Sequence, residues 1–359
     1  MAKIDSFLKK AFKVKASDMH IATGHPPMYR RYGRLRKFKF SELSPRSTKK
    51  LIYEILTPKQ RKIFEKNYEL DFCYEIEDVA RFRGNVLYQR TGIDASFRII
   101  PLEIPSLDDL GLPPVVKDVL EQHQGLILVT GAAGHGKSTT LAAMVDHINN
   151  NRAHHVITVE DPIEFIQPIK RAVVNQREIG KHTLSYANAL RGALREDPDV
   201  IVIGELRDME TTSLAMTAAE TGHLVLGTMS TSSAHKTVDR IIDSYPAGEQ
   251  NQVRTMLADS LKAVITQRLI SNIKKDGMVL ATEILIGTVP MSNLIRDHKT
   301  YQIPSMIQTG KAAEMQLMDE SIIKLLKAGE ISLNRAKKNI EWQKLLDDFM
   351  KAQENASRV

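Results

Sequence analysis

Residues 131–139 read Gly131-Ala-Ala-Gly134-His135-Gly136-Lys137-Ser138-Thr139. The spacing G-x-x-x-x-G-K-S suits a loop that wraps phosphate oxygens. Glycines let the backbone approach closely, and the amides that open a following helix point at the anion. Lys137 is placed to reach the β- and γ-phosphates of ATP, and Ser138 to ligate Mg²⁺. The flanks agree with this: an apolar strand-like run at 126–129 precedes the loop, and helix-compatible text at 139–149 follows. A chance glycine-rich turn would not have to satisfy both motif and flanks. Gly131, Gly134, His135, Gly136, Lys137, Ser138 and Thr139 are therefore the candidate nucleotide-binding residues. His135 stands where a small residue would suffice, so its backbone is expected to act while its ring points to solvent.

Phosphoryl transfer to water also needs a carboxylate to hold Mg²⁺ and another group to orient the attacking water. Two acidic tracts follow apolar runs: Val159-Glu-Asp-Pro-Ile-Glu164-Phe165 and Asp199-Val-Ile-Val-Ile-Gly-Glu205-Leu-Arg207. Acids at the carboxyl ends of parallel strands lie on the edge where open α/β sheets bind ligands. Glu164 and Glu205 can fill the two roles, and chemistry alone does not say which takes which.

The elements that must position these residues follow from patterning. Runs at 126–129, 156–159, 200–203 and 224–226 are short and wholly apolar, each followed by a loop and helical text. That alternation predicts a mostly parallel sheet covered by helices on both faces. Before it, residues 1–100 read as a small α+β domain. They comprise an amphipathic helix on Ile4, Phe7, Leu8, Ala11 and Phe12, a basic hairpin turning at Gly33, a helical stretch at 45–68, and strands at 71–76, 81–89 and 95–100. Proline density at 101–114 predicts a linker over 101–117, with the second domain spanning 118–359 and its end helical from about 289.

Composition narrows the class. The 359 residues suit two domains, and 42% hydrophobic with 26% charged residues is globular rather than disordered. No apolar run has membrane-spanning length, and residues 1–18 lack a secretory h-region. The single cysteine, Cys73, allows no internal disulfide. A cytoplasmic protein is expected. The net charge of +7 comes from 50 basic against 43 acidic residues, a mixed surface that does not demand nucleic acid. The cluster Arg30, Arg31, Arg34, Arg36, Lys37 and Lys39 reads as a solvated strand pair.

Several tracts together resemble one family. Thr158-Val-Glu-Asp-Pro-Ile-Glu-Phe165 is similar to the Asp box of the secretion ATPases, and the tract 194–208 to their Walker B segment. Thr221-Gly-His223 through Ser233 is similar to their His box. Ala16-Ser-Asp-Met-His20 with Gly24 and Pro26-Pro27, Val174-Asn-Gln-Arg-Glu178 and Asn293-Leu-Ile-Arg296 resemble the type IV pilus retraction ATPases, the PilT-like group of P-loop NTPases. The likeness covers nearly the whole chain. It implies a PAS-like N-terminal domain, a RecA-like ATPase domain and a homohexameric ring working at the cytoplasmic face of the inner membrane. A pilus platform protein is the implied partner, with a paralogous retraction ATPase as another, and no nucleic acid. By the same likeness Glu164 is the catalytic base and Glu205 the Walker B residue near Mg²⁺, directly or through water. Arg81, Arg83 and Arg98 match arginines that approach nucleotide.

Two motifs depart from that pattern. Ser230 stands where the second His-box histidine is normal, with His223 retained and His235 new on the next segment. Pro290-Met-Ser292-Asn-Leu replaces a motif that carries arginine. A serine reaches less far than imidazole and stays uncharged, so slow hydrolysis is expected. An accessory nucleotide-sensing paralogue is one alternative. An extension or secretion ATPase is another, although those carry a longer N-terminal region and a four-cysteine zinc module. A DNA motor is disfavoured by the motif set.

Overall fold

The computed structural model describes residues 2–274 and 277–356 and divides into two compact units, 1–103 with 164–166, and 104–163 with 167–359.

The first unit holds a six-stranded antiparallel sheet: β1 Asp18–Ile21, β2 Met28–Arg31, β3 Arg34–Lys37, β4 Glu69–Ile76, β5 Ala80–Gln89 and β6 Gly92–Ile100. Its order is β3-β2-β1-β6-β5-β4. The β2–β3 hairpin turns through Tyr32 and Gly33 at φ 51° and 76°, the paired positive angles that match strand twist in two-residue turns. Strand β3 is exposed along its length, so its basic side chains are solvated. The helical stretch at 45–68 is two helices, Pro45–Tyr53 and Pro58–Asn67. Thr57 interrupts them as a capping box: its Oγ accepts from Gln60 N (3.3 Å) and its amide donates to Gln60 Oε1 (2.9 Å). Helix Lys3–Lys13 buries Ile4, Phe7, Leu8 and Ala11 in the same core as Phe72, Phe82 and Phe97.

The second unit is α/β. Its sheet contains β7 Gly125–Thr130, β8 His155–Glu160, β9 Val173–Glu178, β10 Val200–Ile203, β11 Leu224–Met229, β12 Leu261–Ser271 and β13 Met278–Ile286. The order is β13-β12-β7-β11-β10-β8-β9, with every pair parallel except β12–β13. Consecutive residues alternate between two cores. Leu126, Leu128, Ile157, Ile201 and Val225 face one, whereas Ile127, Val129, Val156, Val202 and Leu226 face the other. That is why the strands read as unbroken apolar runs. The stretch 101–117, read as a linker, contributes Leu107, Leu112, Val115 and Val116 to the second of these cores and begins the helix Val115–Leu120.

From Val289 onward the described residues form helices, ending with Gln343–Ala356; residues 357–359 of the expected helical end lie outside the described residues. Pro290 sits in the first turn of helix Val289–Arg296, behind the cap Thr288, where its missing N–H is not needed. Ser292 Oγ donates to Ala258 O (2.7 Å), and Arg296 pairs with Asp259. The altered motif is thus a folded helix start. Among the described residues no helix is long and apolar enough to cross a membrane.

Gly84 in β5 gives a test of the first unit. The Phe72 ring lies over it, and a Cβ at this position would come 2.7 Å from Phe72 Cζ. Phe72 is buried and packs edge-on against Phe97, centroids 6.1 Å apart, so it has little room to yield. Gly84→Ala should cost about 1–3 kcal/mol. A denaturant titration of the full chain checks this, and an unchanged unfolding midpoint would contradict the packing described.

Candidate active site

The phosphate loop leaves the carboxyl end of β7 and enters helix Lys137–Asn151. Gly134 and Gly136 take φ of 79° and 84°, a region that residues with a Cβ enter only under strain. Gly131 has no space for a side chain, because a Cβ would stand 2.6 Å from Gln267 O of β12. Lys137 Nζ donates to the loop's own carbonyls, Gly131 O at 2.8 Å and Ala132 O at 3.2 Å. Its charge is therefore held over the hollow of the loop, and Ser138 follows it in the first helical turn.

His135 corrects the expectation that its ring points to solvent. Its Nδ1 accepts a hydrogen bond from Leu269 N of β12 at 2.8 Å. Burial, with the charges of Arg268 and Lys137, holds its pKa below the ordinary histidine value.

Strand β10 ends at Ile203, and Glu205 follows it. The turn is fixed by Thr228 Oγ donating to Gly204 O (2.6 Å) and Leu206 N donating to Thr228 O (2.9 Å). Arg207 pairs with Glu205 Oε2 through Nε (2.7 Å) and Nη2 (2.6 Å), and Ser230 Oγ donates to Oε1 (3.0 Å). Burial by itself would push the Glu205 carboxyl up. The hydrogen bonds from Arg207 and Ser230, with the charges of Arg207 and Lys137, outweigh it and hold the group below the ordinary carboxylate range. The site thus presents an ionised carboxylate and an ammonium on the carboxyl edge of one sheet.

The two His-box positions lie at opposite ends of β11. Ser230 follows its carboxyl end, whereas His223 precedes its amino end, where Nδ1 donates to Ala218 O (3.0 Å) and the carbonyl accepts from Gly125 N (3.0 Å). Seven residue steps at about 3.3 Å each separate them by ~23 Å. His223 therefore braces the far edge of the sheet. His235 bonds Ser233 Oγ (3.1 Å) on its own helix, while Ser230 carries the contact to Glu205.

Glu164 belongs to the segment that groups with the first unit, together with Arg81 and Arg83. Arg83 Nη1 stands 3.4 Å from Glu164 Oε1, and Arg81 Nη1 donates to Glu164 O at 3.4 Å. Arg98 faces Arg83 across β5–β6 and pairs with Asp18 (3.3 Å). The three arginines share one sheet face, and two of them touch the glutamate.

Sequence reasoning missed Arg207 and Gln267 as site residues. Arg207 had a usable signal: positions i and i+2 in extended chain share a face, so it was placed to meet Glu205. Gln267, which donates from Nε2 to Thr140 Oγ at 2.7 Å, had none without knowledge of β12.

A glycine loop between a buried parallel strand and a helix, with a lysine at the helix start and a carboxylate past the end of a second parallel strand of the same sheet, defines a P-loop ATPase. The model of the type II/IV secretion system protein family matches residues 1–354, and the chain belongs to that family. It is 49% identical over 346 residues to the type IV pilus retraction ATPase PilT of Pseudomonas aeruginosa, covering 96% of this chain and 99% of that one. It is 48% identical over 315 residues to a twitching motility protein of Neisseria gonorrhoeae, covering 88% and 84%. A crystal structure of the pilus retraction motor PilT with bound ADP superposes with TM-score 0.86 at 44% identity, covering 97% of this chain and 99% of that chain.

Ser230→Ala removes one of the bonds that hold Glu205 while leaving Arg207 in place. Loss of a hydrogen bond to a charged group should lower kcat about 5–10-fold with ATP affinity little changed. Steady-state ATPase kinetics test this. A kcat equal to wild type would mean that Ser230 does not support the carboxylate.

Proposed function

We propose that this chain is the ATP-hydrolysing subunit of a homohexameric motor that drives or assists type IV pilus retraction, and with it twitching motility. The near full-length likeness to PilT, together with a phosphate loop and an ionised Glu205 on one sheet edge, carries this reading. The ring works at the cytoplasmic face of the inner membrane against a pilus platform protein, alone or beside a paralogous retraction ATPase.

ATP is the substrate, and its phosphates occupy the loop 131–136, bonded by backbone amides at the helix start. Lys137 exchanges its carbonyl partners for β- and γ-phosphate oxygens, so its charge is available without rebuilding the loop. The donor set fits Mg²⁺: the Ser138 hydroxyl and the ionised Glu205 carboxylate, directly or through water, are hard oxygen ligands. When bound, Mg²⁺ neutralises charge on the phosphate oxygens. Glu164 orients the attacking water and takes its proton. Arg81, Arg83 and Arg98 supply positive charge toward the γ-phosphate as the phosphoryl group leaves. Ser230 in place of the second His-box histidine also supports a second reading, an accessory subunit that binds ATP and turns it over slowly.

Three substitutions and one strain test the proposal. Lys137→Ala should abolish hydrolysis, since no other side chain supplies that contact; near wild-type turnover would remove the ATPase. Glu164→Gln should bind ATP yet hydrolyse it at least ~100-fold more slowly, because the amide keeps the shape and loses basicity. Full activity of Glu164→Gln beside an inactive Glu205→Gln would reverse the two roles. A deletion strain should lose or weaken twitching and regain it with the wild-type gene. Normal retraction without the gene would point away from the retraction motor.

A further inference from the structure

Three residues of strand β12 make four contacts along the end of β7, the phosphate loop and its helix. Thr266 Oγ shares a hydrogen bond with Thr130 Oγ (2.8 Å), and Gln267 O closes against Gly131. Gln267 Nε2 donates to Thr140 Oγ (2.7 Å), and Leu269 N donates to His135 Nδ1 (2.8 Å). Only the last involves a side chain of the loop itself. It also spans the middle of the loop, between Gly134 and Gly136, where two positive-φ glycines leave the backbone freest.

We infer that His135 is a positioning residue for ATP: its Nδ1, by accepting Leu269 N–H, fixes the glycine loop against β12 in the shape that receives phosphate. The inference rests on the reading of this loop as the ATP site.

Three observations support it. First, β12 is a rigid template, paired with β7 on one side and β13 on the other. Its far end is gripped by Arg335, which donates to Ser271 O and Asn272 O, while Arg268 Nη1 bonds Asn339 O. A loop tied to this strand inherits its position. Second, accepting at Nδ1 puts the ring proton on Nε2, so the bond requires neutral imidazole. The charged groups facing His135 are Arg268 from β12 and Lys137 from the loop's own helix, and both favour the neutral form. Third, Leu269 N lies where β12 runs past the end of its pairing with β7, which stops at Thr266, so among the described residues no strand there supplies an acceptor. Without His135 that amide must find water.

The role differs from catalysis in what it moves. An ordered loop binds phosphate without first losing conformational freedom, so the effect falls on ATP affinity and KM rather than on kcat. Asparagine can present Oδ1 near the place of Nδ1, whereas glutamine carries its oxygen one bond too far.

The experiment uses the full-length chain as wild type, His135→Ala, His135→Asn and His135→Gln. Amide hydrogen exchange at Leu269 is measured without nucleotide, and ATP binding and steady-state hydrolysis are measured over a pH series. His135→Ala and His135→Gln should raise the ATP dissociation constant and KM about 5–10-fold with kcat within about twofold, and should speed exchange at Leu269. His135→Asn should restore both. Wild type should lose affinity as pH falls below the ordinary histidine value of about 6.5, while His135→Asn should lose less. Equal affinity and equal Leu269 exchange in wild type and His135→Ala would overturn the inference. So would failure of His135→Asn to rescue exchange, a readout that does not depend on ATP. Absence of ATP binding by wild type would instead overturn the nucleotide reading, and the inference with it.

Discussion

Gly131 leaves β7 at φ 145°, and any side chain there would meet the Gln267 carbonyl at 2.6 Å. This close approach of two backbones is the constraint on which the site depends. It lets the chain turn out of the sheet directly beside β12, so that the loop is shaped by a strand and not by its own side chains. The shared Thr130–Thr266 hydrogen bond seals the junction inside the core, where an unpaired hydroxyl would be costly. Helix Lys137–Asn151 then starts at a fixed place, with its free amides toward the carboxyl edge of the sheet.

The other flank of β7 delivers the carboxylate. Strand β11 lies between β7 and β10, and Thr228 near its end holds Gly204 just before Glu205. Gly227 in β11 leaves room for Leu206, whose Cδ1 would stand 3.0 Å from a Cβ at that position. Small and hydroxylated residues at this end of β11 thus set where Glu205 points. Ser230 continues the same device one residue past the strand, bonding the carboxylate that Arg207 also grips. A serine here is short but engaged, which ties the altered His box to Glu205 without requiring His235.

Much of this was legible because burial on both faces forces apolar runs. β7, β8, β10 and β11 announced themselves in that way, and the loop and Glu205 sit just past strand ends where the pattern placed them; Glu164, four residues beyond β8, groups instead with the first unit. Strands β12 and β13 did not. Helix Gln250–Ser260 passes into β12 with no glycine, proline or asparagine between them, and β12 carries Thr266, Gln267 and Arg268 in its middle. Those polar residues are there because they serve the loop and the C-terminal helices, so the features that make β12 useful also hid it. Strand β9 is an exposed edge with too few apolar residues to read. The ring of His135 was misplaced for the same reason: its partner is a backbone amide of a strand that patterning had not found. Pro290, part of the altered motif, is accommodated by a capped helix start.

The proposed function requires ATP turnover by a ring built from this chain. Phosphate release per subunit, measured on the purified full-length protein with ATP and Mg²⁺ over a range of protein concentrations, addresses it most directly. The rate per subunit should rise with concentration and level off as rings fill. A rate that is zero at every concentration, or constant down to the monomer, would contradict the account.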